Sequence, residues 1–453
     1  MADFISAGAI EAGLSLPDDA LDHQKLAEQL LWAAEQLPPG SVVSLQGSWG
    51  RGKTDVLARL VGASRDTSRP EPLSWLWLNP WQYGTPDLLS PLVIALIQRL
   101  PQDRRASHAA LRRAAQGVVL AGLSFGLKAA TRAAPGGGLL LDAAGSLNDL
   151  IGPLFAAADI EAADHAAQAR LPDPDPVANM GRRFAELVDA LLEEEGASRL
   201  LICVDDLDRC LPDRQVALLQ AMRFLISSGA KATFVVALDP ILARQALIAH
   251  YQTDAFDPDQ YLDKMFTLRV NLPAIPRHRV TAMMNSHLAR PGAGDQTLGE
   301  VLAAQLGAQW PAHLAEQASS VLCTPSLRNP RLLRRIVDRL YLLIAARPGA
   351  QAPGLRLHDP LEARLLIGWL ALGERWPSIR AALQSEQGEL ARLWPLLHRR
   401  YTQDSGQQLG AAALDMLPEP TEDQRQLLSV LGGDSVTVRF IQRLEAALQA
   451  VGL

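Results

Sequence analysis

The sequence predicts an α/β fold with a mostly parallel sheet, followed by an α-helical region. Short β-rich runs alternate with helical stretches over the first part of the chain, and several of these runs are apolar throughout. Continuous apolar runs of this length are typical of strands buried on both faces of a parallel sheet. The predicted strands cover residues 41–46, 73–80, 199–206, 232–239 and 266–273. After Pro273 the strand-like runs stop, and helical patterns at 331–347 and 360–376 predict a helical second half.

The composition is typical of a globular chain with an acidic balance. Of the 453 residues, 48% are hydrophobic and 20% are charged, which suffices for a sizeable core and about two domains. The formal net charge of -6 does not favour a sequence-independent grip on nucleic acid, although a local basic patch is compatible with it. Cys203, Cys210 and Cys323 are too few and too scattered for a disulfide framework or a four-ligand zinc site, so we expect reduced structural thiols.

The amino-terminal segment lacks the parts of a secretory signal. It has no Lys or Arg before Lys25, and it has no continuous apolar core. We therefore expect a cytoplasmic protein.

A long interval separates the second predicted strand from the third. Its first apolar segment, at 118–127, is shorter than the roughly 20 residues that span a bilayer. Its second apolar segment, at 138–158, carries the charged residues Asp142 and Asp149. We expect no membrane span and a helical insert, with docking on a partner or contact with a membrane surface left open. The predicted division is 1–99 for the first part of the α/β core, 100–176 for the helical insert, 177–274 for the second part of the core, and 275–453 for a helical lid and carboxyl-terminal domain.

A glycine-rich turn between the first strand and a helix matches a phosphate-binding pattern. Gly47, Gly52, Lys53 and Thr54 fit G-x-x-x-x-G-K-S/T, and the context of strand and helix is the one this pattern needs. The backbone N–H groups would turn onto phosphate oxygens, the lysine would neutralise the β and γ phosphates, and the threonine hydroxyl would bind Mg²⁺. The alternative is a glycine-rich turn without a ligand. The residues predicted to bind nucleotide are Gly47, Ser48, Trp49, Gly50, Arg51, Gly52, Lys53, Thr54 and Asp55.

Paired acids at the end of the third predicted strand supply the other half of such a site. In RLLICVDDLDRC, Asp205 ends the strand and is predicted to bind Mg²⁺ together with Thr54. Asp206 is placed to orient or deprotonate an attacking water, which implies hydrolysis. The alternative for both acids is to cap the following helix. The N-K-x-D motif that is usual in guanine-specific proteins is missing from the sequence, so ATP is the expected nucleotide.

These motifs together resemble the KAP family of P-loop NTPases. The resemblance rests on GSWGRGKT, NPWQYG, CVDDLDRC, FVVALDP, YLDKMFTLRVNLP and TPSLRNPRLLRRIVDRL, which run in the family order from about residue 20 to 345. It implies an ASCE-type P-loop core, in which the strand ending at Asp239 lies between the phosphate-loop strand and the Asp205 strand. Many members of the family carry transmembrane helices in the interval that lacks a convincing span here.

The resemblance also implies positions and roles for residues at the strand ends. Asp239 would be a sensor beside the γ phosphate, and the alternative is an acid that starts the turn before Pro240. Asn79, Trp81 and Tyr83 would lie at the carboxyl edge of the sheet on the nucleotide side. For Trp81 we expect a packing role, because a large aromatic at a strand end usually buries area.

Two arginines are candidates for contacts with phosphate. Arg209 could stabilise transition-state charge or pair with a neighbouring subunit, and the alternative is a salt bridge to a local acid. Arg331 belongs to a basic helix face that it shares with Arg328, Arg335 and Arg339. The family resemblance makes Arg331 a second sensor on a lid, whereas the residue pattern alone favours a solvated basic face.

The motifs favour an ATPase whose hydrolysis cycle opens and closes the helical carboxyl-terminal domain. The resemblance implies a motor or switch in a multi-protein bacterial system, with protein partners, in settings such as phage exclusion and other antiviral defence. The first alternative is an assembly scaffold that binds ATP, forms homo-oligomers and hydrolyses slowly if at all. The second is a nucleic-acid-stimulated ATPase, which two arginine clusters at 104–113 and 328–339 support and the acidic balance disfavours.

Overall fold

The computed structural model forms two compact units, which are described separately. It describes residues 19–66, 69, 71–82, 89–100, 176–226, 229–253, 256–291, 296–345, 357, 360–384, 390–402, 414 and 416–450. One unit comprises Asp22–Leu272, and the other comprises Pro273–Leu453 with the short segment before Asp22. Tyr83 and, apart from its two end residues, the predicted insert lie outside the described residues.

The first unit alternates strands with helices, as predicted. Its elements are α1 (His23–Gln36), β1 (Val42–Gln46), α2 (Lys53–Ser64), β2 (Leu73–Leu78), α3 (Leu89–Arg99), α4 (Pro176–Glu195), β3 (Arg199–Val204), α5 (Pro212–Ile226), β4 (Ala232–Leu238), α6 (Pro240–Tyr251), α7 (Pro258–Met265) and β5 (Leu268–Asn271). Short 3-10 turns follow β2 at Pro80–Gln82 and β3 at Leu207–Arg209. Each of the predicted strands is present within its predicted range.

The five strands form one parallel sheet in the order β2-β3-β4-β1-β5. This order confirms that the strand before Asp239 lies between the phosphate-loop strand and the Asp205 strand. In the register, Gln46 of β1 pairs with Leu238 of β4, and Val204 of β3 pairs with Val236. The three central strands therefore end at nearly the same level, and the segments that follow them meet at one edge.

Helices cover both faces of this sheet, which explains why several of its strands are apolar throughout. Val235 and Ala237 of β4 belong to a buried cluster with α1 and α2. Phe234 and Val236, which alternate with them, belong to a second cluster with α4 and α5. Because a side chain such as Val235 or Phe234 contributes about 1.5–3 kcal/mol on full burial, the two clusters hold the strands at this level.

The second unit is helical. Its helices are α8 (Arg277–Leu288), α9 (Leu298–Leu306), α10 (Trp310–Val321), α11 (Pro330–Ala345), α12 (Pro360–Arg375), α13 (Pro377–Gln384), α14 (Leu390–Thr402), α15 (Glu422–Leu431) and α16 (Ser435–Ala450). The apolar stripe of α11 is buried at Leu333 and Leu340. Trp369 and Trp394 are buried and pack edge to face, with their ring centroids 5.5 Å apart.

A buried acid joins three helices of this unit. Glu445 of α16 is 7% exposed and accepts hydrogen bonds from the Trp369 indole and the Gln384 amide. Arg380 of α13 donates to both of its carboxylate oxygens, at 3.0 and 3.2 Å. A buried carboxylate is tolerated only when it is paired in this way, so the network fixes how α12, α13 and α16 pack.

The stability of the second unit should fall at acidic pH because of His287 in α8. The pKa of His287 is lowered to about 4 by burial and by the charges of Arg290 and Arg334, while a hydrogen bond to the Pro330 backbone and the charge of Asp338 oppose the shift. The unfolded chain binds this proton with a pKa of about 6.5, so the histidine removes stability progressively as the pH falls from about 6.5 towards 4. We expect a loss of about 2–3 kcal/mol in the free energy of unfolding between about pH 7 and pH 4.5.

Urea titrations of the full chain at both pH values, followed by circular dichroism, measure this loss. In a His287→Gln variant the loss should be smaller by that amount. The same substitution at the exposed His278 controls for removal of a histidine. Equal pH dependence in wild type and His287→Gln would contradict the assignment.

Candidate functional site

The loop after β1 has the backbone conformation of a phosphate-binding turn. Gly50 and Gly52 have φ of 82° and 99°, in the left-handed region that favours glycine. The Gly47 amide donates to the Leu238 carbonyl at the end of β4, and Gln46 accepts from the Leu272 amide. The loop is thus anchored at the sheet edge, and α2 begins directly after it with its N-terminal dipole at the turn.

His23, which was not singled out in the sequence, packs against this loop. The residue is 4% exposed, and Nδ1 of its imidazole lies 2.7 Å from Oδ2 of Asp55. Arg59, one turn further along α2, donates to the same oxygen at 3.0 Å. A Cβ on Gly52 would lie 2.4 Å from the His23 ring, so the imidazole occupies the space that only glycine leaves. The start of α1 therefore fixes both the loop and the first turn of α2.

Lys53, the predicted phosphate ligand, is buried at the centre of the site. The residue is 7% exposed, and Nζ donates to the Gly47 carbonyl at 2.8 Å. Its second partner is Oδ2 of Asp208, at 3.2 Å. No sequence pattern indicates this role for Asp208, because its contact with Lys53 joins segments 155 positions apart.

Thr54 and Asp205, the predicted Mg²⁺ ligands, are in contact. The Thr54 hydroxyl donates to the Asp205 carboxylate, which is 3% exposed. The pKa of Asp205 is raised to about 6, first by burial and then by the charge of Asp206, while the Thr54 hydrogen bond and the charge of Lys53 oppose the shift. The hydroxyl and the buried carboxylate, which lacks a full counter-charge, are together suitable oxygen ligands for Mg²⁺.

Asp206, the predicted base, is held by two neighbours. Its φ of 55° is left-handed, an uncommon conformation for a non-glycine residue that aspartate tolerates better than most. Asn79 Nδ2 donates to Oδ2 at 3.0 Å, and Arg209 Nε lies 2.9 Å from Oδ1. Asp206 precedes the 3-10 turn, but its side chain makes no capping hydrogen bond there. The capping alternative therefore does not account for this carboxylate.

Arg209 forms a salt bridge with Asp206, which agrees with one of the two interpretations of this residue. It also contacts two aromatic rings. Its guanidinium carbon lies 5.9 Å from the ring centroid of Trp49 and 5.3 Å from that of Trp81. These distances allow cation–π attraction. The two tryptophans are 53% and 54% exposed, so the prediction that Trp81 is a packing residue is wrong. Its ring instead flanks the cation at the rim of the site.

Asp239 caps the helix that follows β4. It is 6% exposed, and Oδ1 accepts from the Ile241 amide at 3.0 Å. This capping matches the structural alternative for the residue, in which it starts the turn before Pro240. Its predicted role as a sensor stays a prediction.

Arg331 lies in the second unit, in the first turn of α11. Its backbone amide donates to Oδ1 of Asn329 at 2.9 Å. On the same helix, Arg335 and Arg339 form ion pairs of 3.2 and 2.6 Å with Glu374 of α12. Part of the basic face is therefore used in packing helices, and the sensor role of Arg331 stays a prediction.

Comparison with known families identifies the family of the chain. The family model described as the KAP family P-loop domain matches residues 24–346, more than two thirds of the chain. The chain belongs to the KAP family. The phosphate loop, the acidic strand and the strand between them are thus parts of a nucleotide-binding P-loop domain.

Among solved structures, the KAP chain is similar to the ORC2 protein of Aeropyrum pernix. A structure with ADPNP and ADP has 13% identity, covers 95% of this chain and 85% of its own, and gives a TM-score of 0.37. The ADP form has 11% identity, covers 97% and 96%, and gives a TM-score of 0.36. No curated protein sequence matches the chain. Within the described parts of the chain, no helix is both long and apolar enough to cross a membrane.

Substitution of Gly52 by alanine should disrupt the phosphate loop of this KAP domain. The new Cβ would clash with the His23 ring at 2.4 Å, and the residue would also have to keep a φ of 99°. We expect Gly52→Ala to lower the free energy of unfolding by about 1–3 kcal/mol more than Gly196→Ala. Gly196 also has a positive φ, of 64°, but within the described chain a Cβ there meets nothing within 4 Å.

The affinity for nucleotide provides a second measure of the effect of this clash. Gly52→Ala should weaken ATP binding at least about tenfold, because the loop can no longer hold its amide groups in place. Adding His23→Ala removes the obstructing ring and should restore part of the stability. Equal unfolding free energies for Gly52→Ala and Gly196→Ala would contradict the role of His23.

Proposed function

We propose that the chain binds ATP with Mg²⁺ and hydrolyses it at the carboxyl edge of the sheet. The observation that carries this proposal is the hydrogen bond from Thr54 to the buried Asp205, with Lys53 and Asp206 beside it. These side chains come from two segments on either side of β4, the arrangement on which P-loop hydrolysis depends. ATP is the proposed nucleotide because the sequence lacks the guanine-binding motif.

Thr54 and Asp205 would hold the metal. Within the described residues, no group of three or more His, Cys, Asp or Glu could bind a metal without further ligands. A P-loop site does not need such a group, because one hydroxyl, one carboxylate, phosphate oxygens and water complete the shell. When bound, Mg²⁺ would neutralise charge on the phosphates.

The remaining residues of the site would orient the reactants. Lys53 and the loop amides would bind the β and γ phosphates, and Asp206 would orient the attacking water. The water oxygen bonds to the γ phosphorus as the bond to the bridging oxygen breaks. That oxygen leaves on ADP, and the water proton passes by way of Asp206 to phosphate. Asn79 would keep the carboxylate in place through its bond to Oδ2.

The larger role that we propose is a motor or switch that couples hydrolysis to the helical second unit. Arg331 would be the residue of α11 that senses the nucleotide. Protein partners in a bacterial system, including one for antiviral defence, are proposed from the family resemblance alone.

A slow or non-hydrolysing assembly scaffold is the second candidate. The observation in its favour is that both carboxylate oxygens of Asp206 are engaged, one by Asn79 and the other by Arg209. Each oxygen of a base held in this way keeps a lone pair for a proton, but the two contacts restrict how a water molecule can approach it. A nucleic-acid-stimulated enzyme has less support, because Arg335 and Arg339 of the basic face are paired with Glu374.

Two substitutions should separate binding from turnover. Lys53→Ala should weaken ATP binding and abolish turnover, because it removes the cation of the loop. Asp206→Asn should leave the Kd for ATP within about twofold and lower kcat at least about a hundredfold. Steady-state phosphate release and equilibrium binding measure the two effects.

Asp259→Asn, at an exposed acid that pairs with Arg244, is the control of matched charge. Wild-type turnover near the background of Lys53→Ala would favour the scaffold. Undiminished turnover in Asp206→Asn would remove Asp206 as the base.

Arg209 should act within its own chain, because it pairs with Asp206 of the same chain at 2.9 Å. If it instead acted across a subunit interface, mixing Arg209→Ala with Asp206→Asn would create hybrid sites with a complete set of residues. We expect no recovery of turnover on mixing the two variants at any ratio. Recovery towards a quarter or more of the wild-type rate would show a shared site and an oligomer.

A further inference from the structure

The ion pair between Lys53 and Asp208 brings a carboxylate into the phosphate site. The two side chains are 8% and 4% exposed, and Nζ lies 3.2 Å from Oδ2. The third residue of this contact is Gly47, whose carbonyl accepts from the same ammonium at 2.8 Å. The triphosphate of a nucleotide would therefore reach an ammonium that already has an anionic partner.

We infer that Asp208 is an internal competitor for Lys53 that makes tight nucleotide binding depend on a divalent cation. The inference rests on the proposed function of the site and adds a specificity-determining residue to it. Asp208 would contact no reacting atom and would act through Lys53.

The charges that contact one another at the site support this inference. Lys53 and Arg209 contribute two positive charges, and Asp205, Asp206 and Asp208 contribute three negative charges, which leaves the set at −1. A nucleotide triphosphate carries several negative charges, so this set gives it no net attraction. Mg²⁺ would make the site positive by binding at Asp205. Without Asp208 the set would be neutral before any metal binds.

The backbone around Asp208 holds the carboxylate in place. The 3-10 turn is closed by hydrogen bonds of 3.1 Å from the Arg209 amide to Asp206 and from the Cys210 amide to Leu207. Leu207 is 1% exposed and packs in the cluster on the α4 and α5 face of the sheet. Because the turn is anchored on both sides of Asp208, the carboxylate stays beside Lys53 when phosphate arrives.

The test is the affinity for ATP with and without Mg²⁺. Asp208→Asn keeps the size of the side chain and an oxygen that can accept from Lys53, but it removes the charge. We expect the Kd for ATP in excess EDTA to fall at least about tenfold, because a fixed like charge in a buried site is removed. With saturating Mg²⁺ the Kd should fall less, because the metal already offsets the repulsion, so the ratio of the two Kd values should shrink. Titration calorimetry measures both constants.

Asp213→Asn is the matched control, since Asp213 is exposed and pairs with His250 rather than with the site. Its Kd ratio should equal that of wild type. Weaker binding by Asp208→Asn, or an unchanged ratio, would overturn the inference and make Asp208 a structural support for Lys53. Asp208→Ser, a smaller neutral variant with the same expectation, replaces Asp208→Asn if the latter does not fold. Failure of the proposed function is distinguishable, because then Lys53→Ala would bind ATP as well as wild type does.

Discussion

The position of β4 between β1 and β3 is the constraint on which the whole site depends. Because Gln46 pairs with Leu238 and Val204 with Val236, the phosphate loop and the acidic segment leave the sheet at nearly the same level. This alignment brings Lys53 within 3.2 Å of Asp208, although 155 positions separate them in the chain. A change in strand order or register would separate the two halves without altering either motif.

Concentrating acids at this edge has an electrostatic cost that the rest of the site offsets. Asp205 is buried, and its neighbour Asp206 carries the same negative charge. The pKa of Asp205, about 6, is raised because its own charge is only partly compensated. Asp206 forms an ion pair with Arg209, and Asp208 forms one with Lys53. Affinity for a polyanion at such a site gains from an added cation and from the loop amides.

The motifs of this site could be predicted from local patterns, and the strand order that joins them from the family resemblance, whereas single side-chain contacts between distant segments could not. The apolar strands, the phosphate loop and the acids after β3 are each formed by consecutive residues. The contacts of His23 with Asp55 and of Asn79 with Asp206 join distant segments, and only the folded sheet brings them together. Trp81 was misinterpreted because a tryptophan at a strand end usually buries its area, whereas here it flanks Arg209 while half-exposed.

Burial separates the fixed part of the site from the part that can change. Lys53 and Asp205 are less than a tenth exposed, and displacing either would break buried hydrogen bonds. Trp49 and Trp81 lie at the rim and are more than half exposed, and the Arg209 side chain that they flank is 24% exposed. Arg209 is also the group that occupies one oxygen of Asp206. In the proposed reaction, access of water to Asp206 would therefore depend on a partly exposed side chain, whereas Lys53 and Asp205, which would bind phosphate and metal, are fixed by burial.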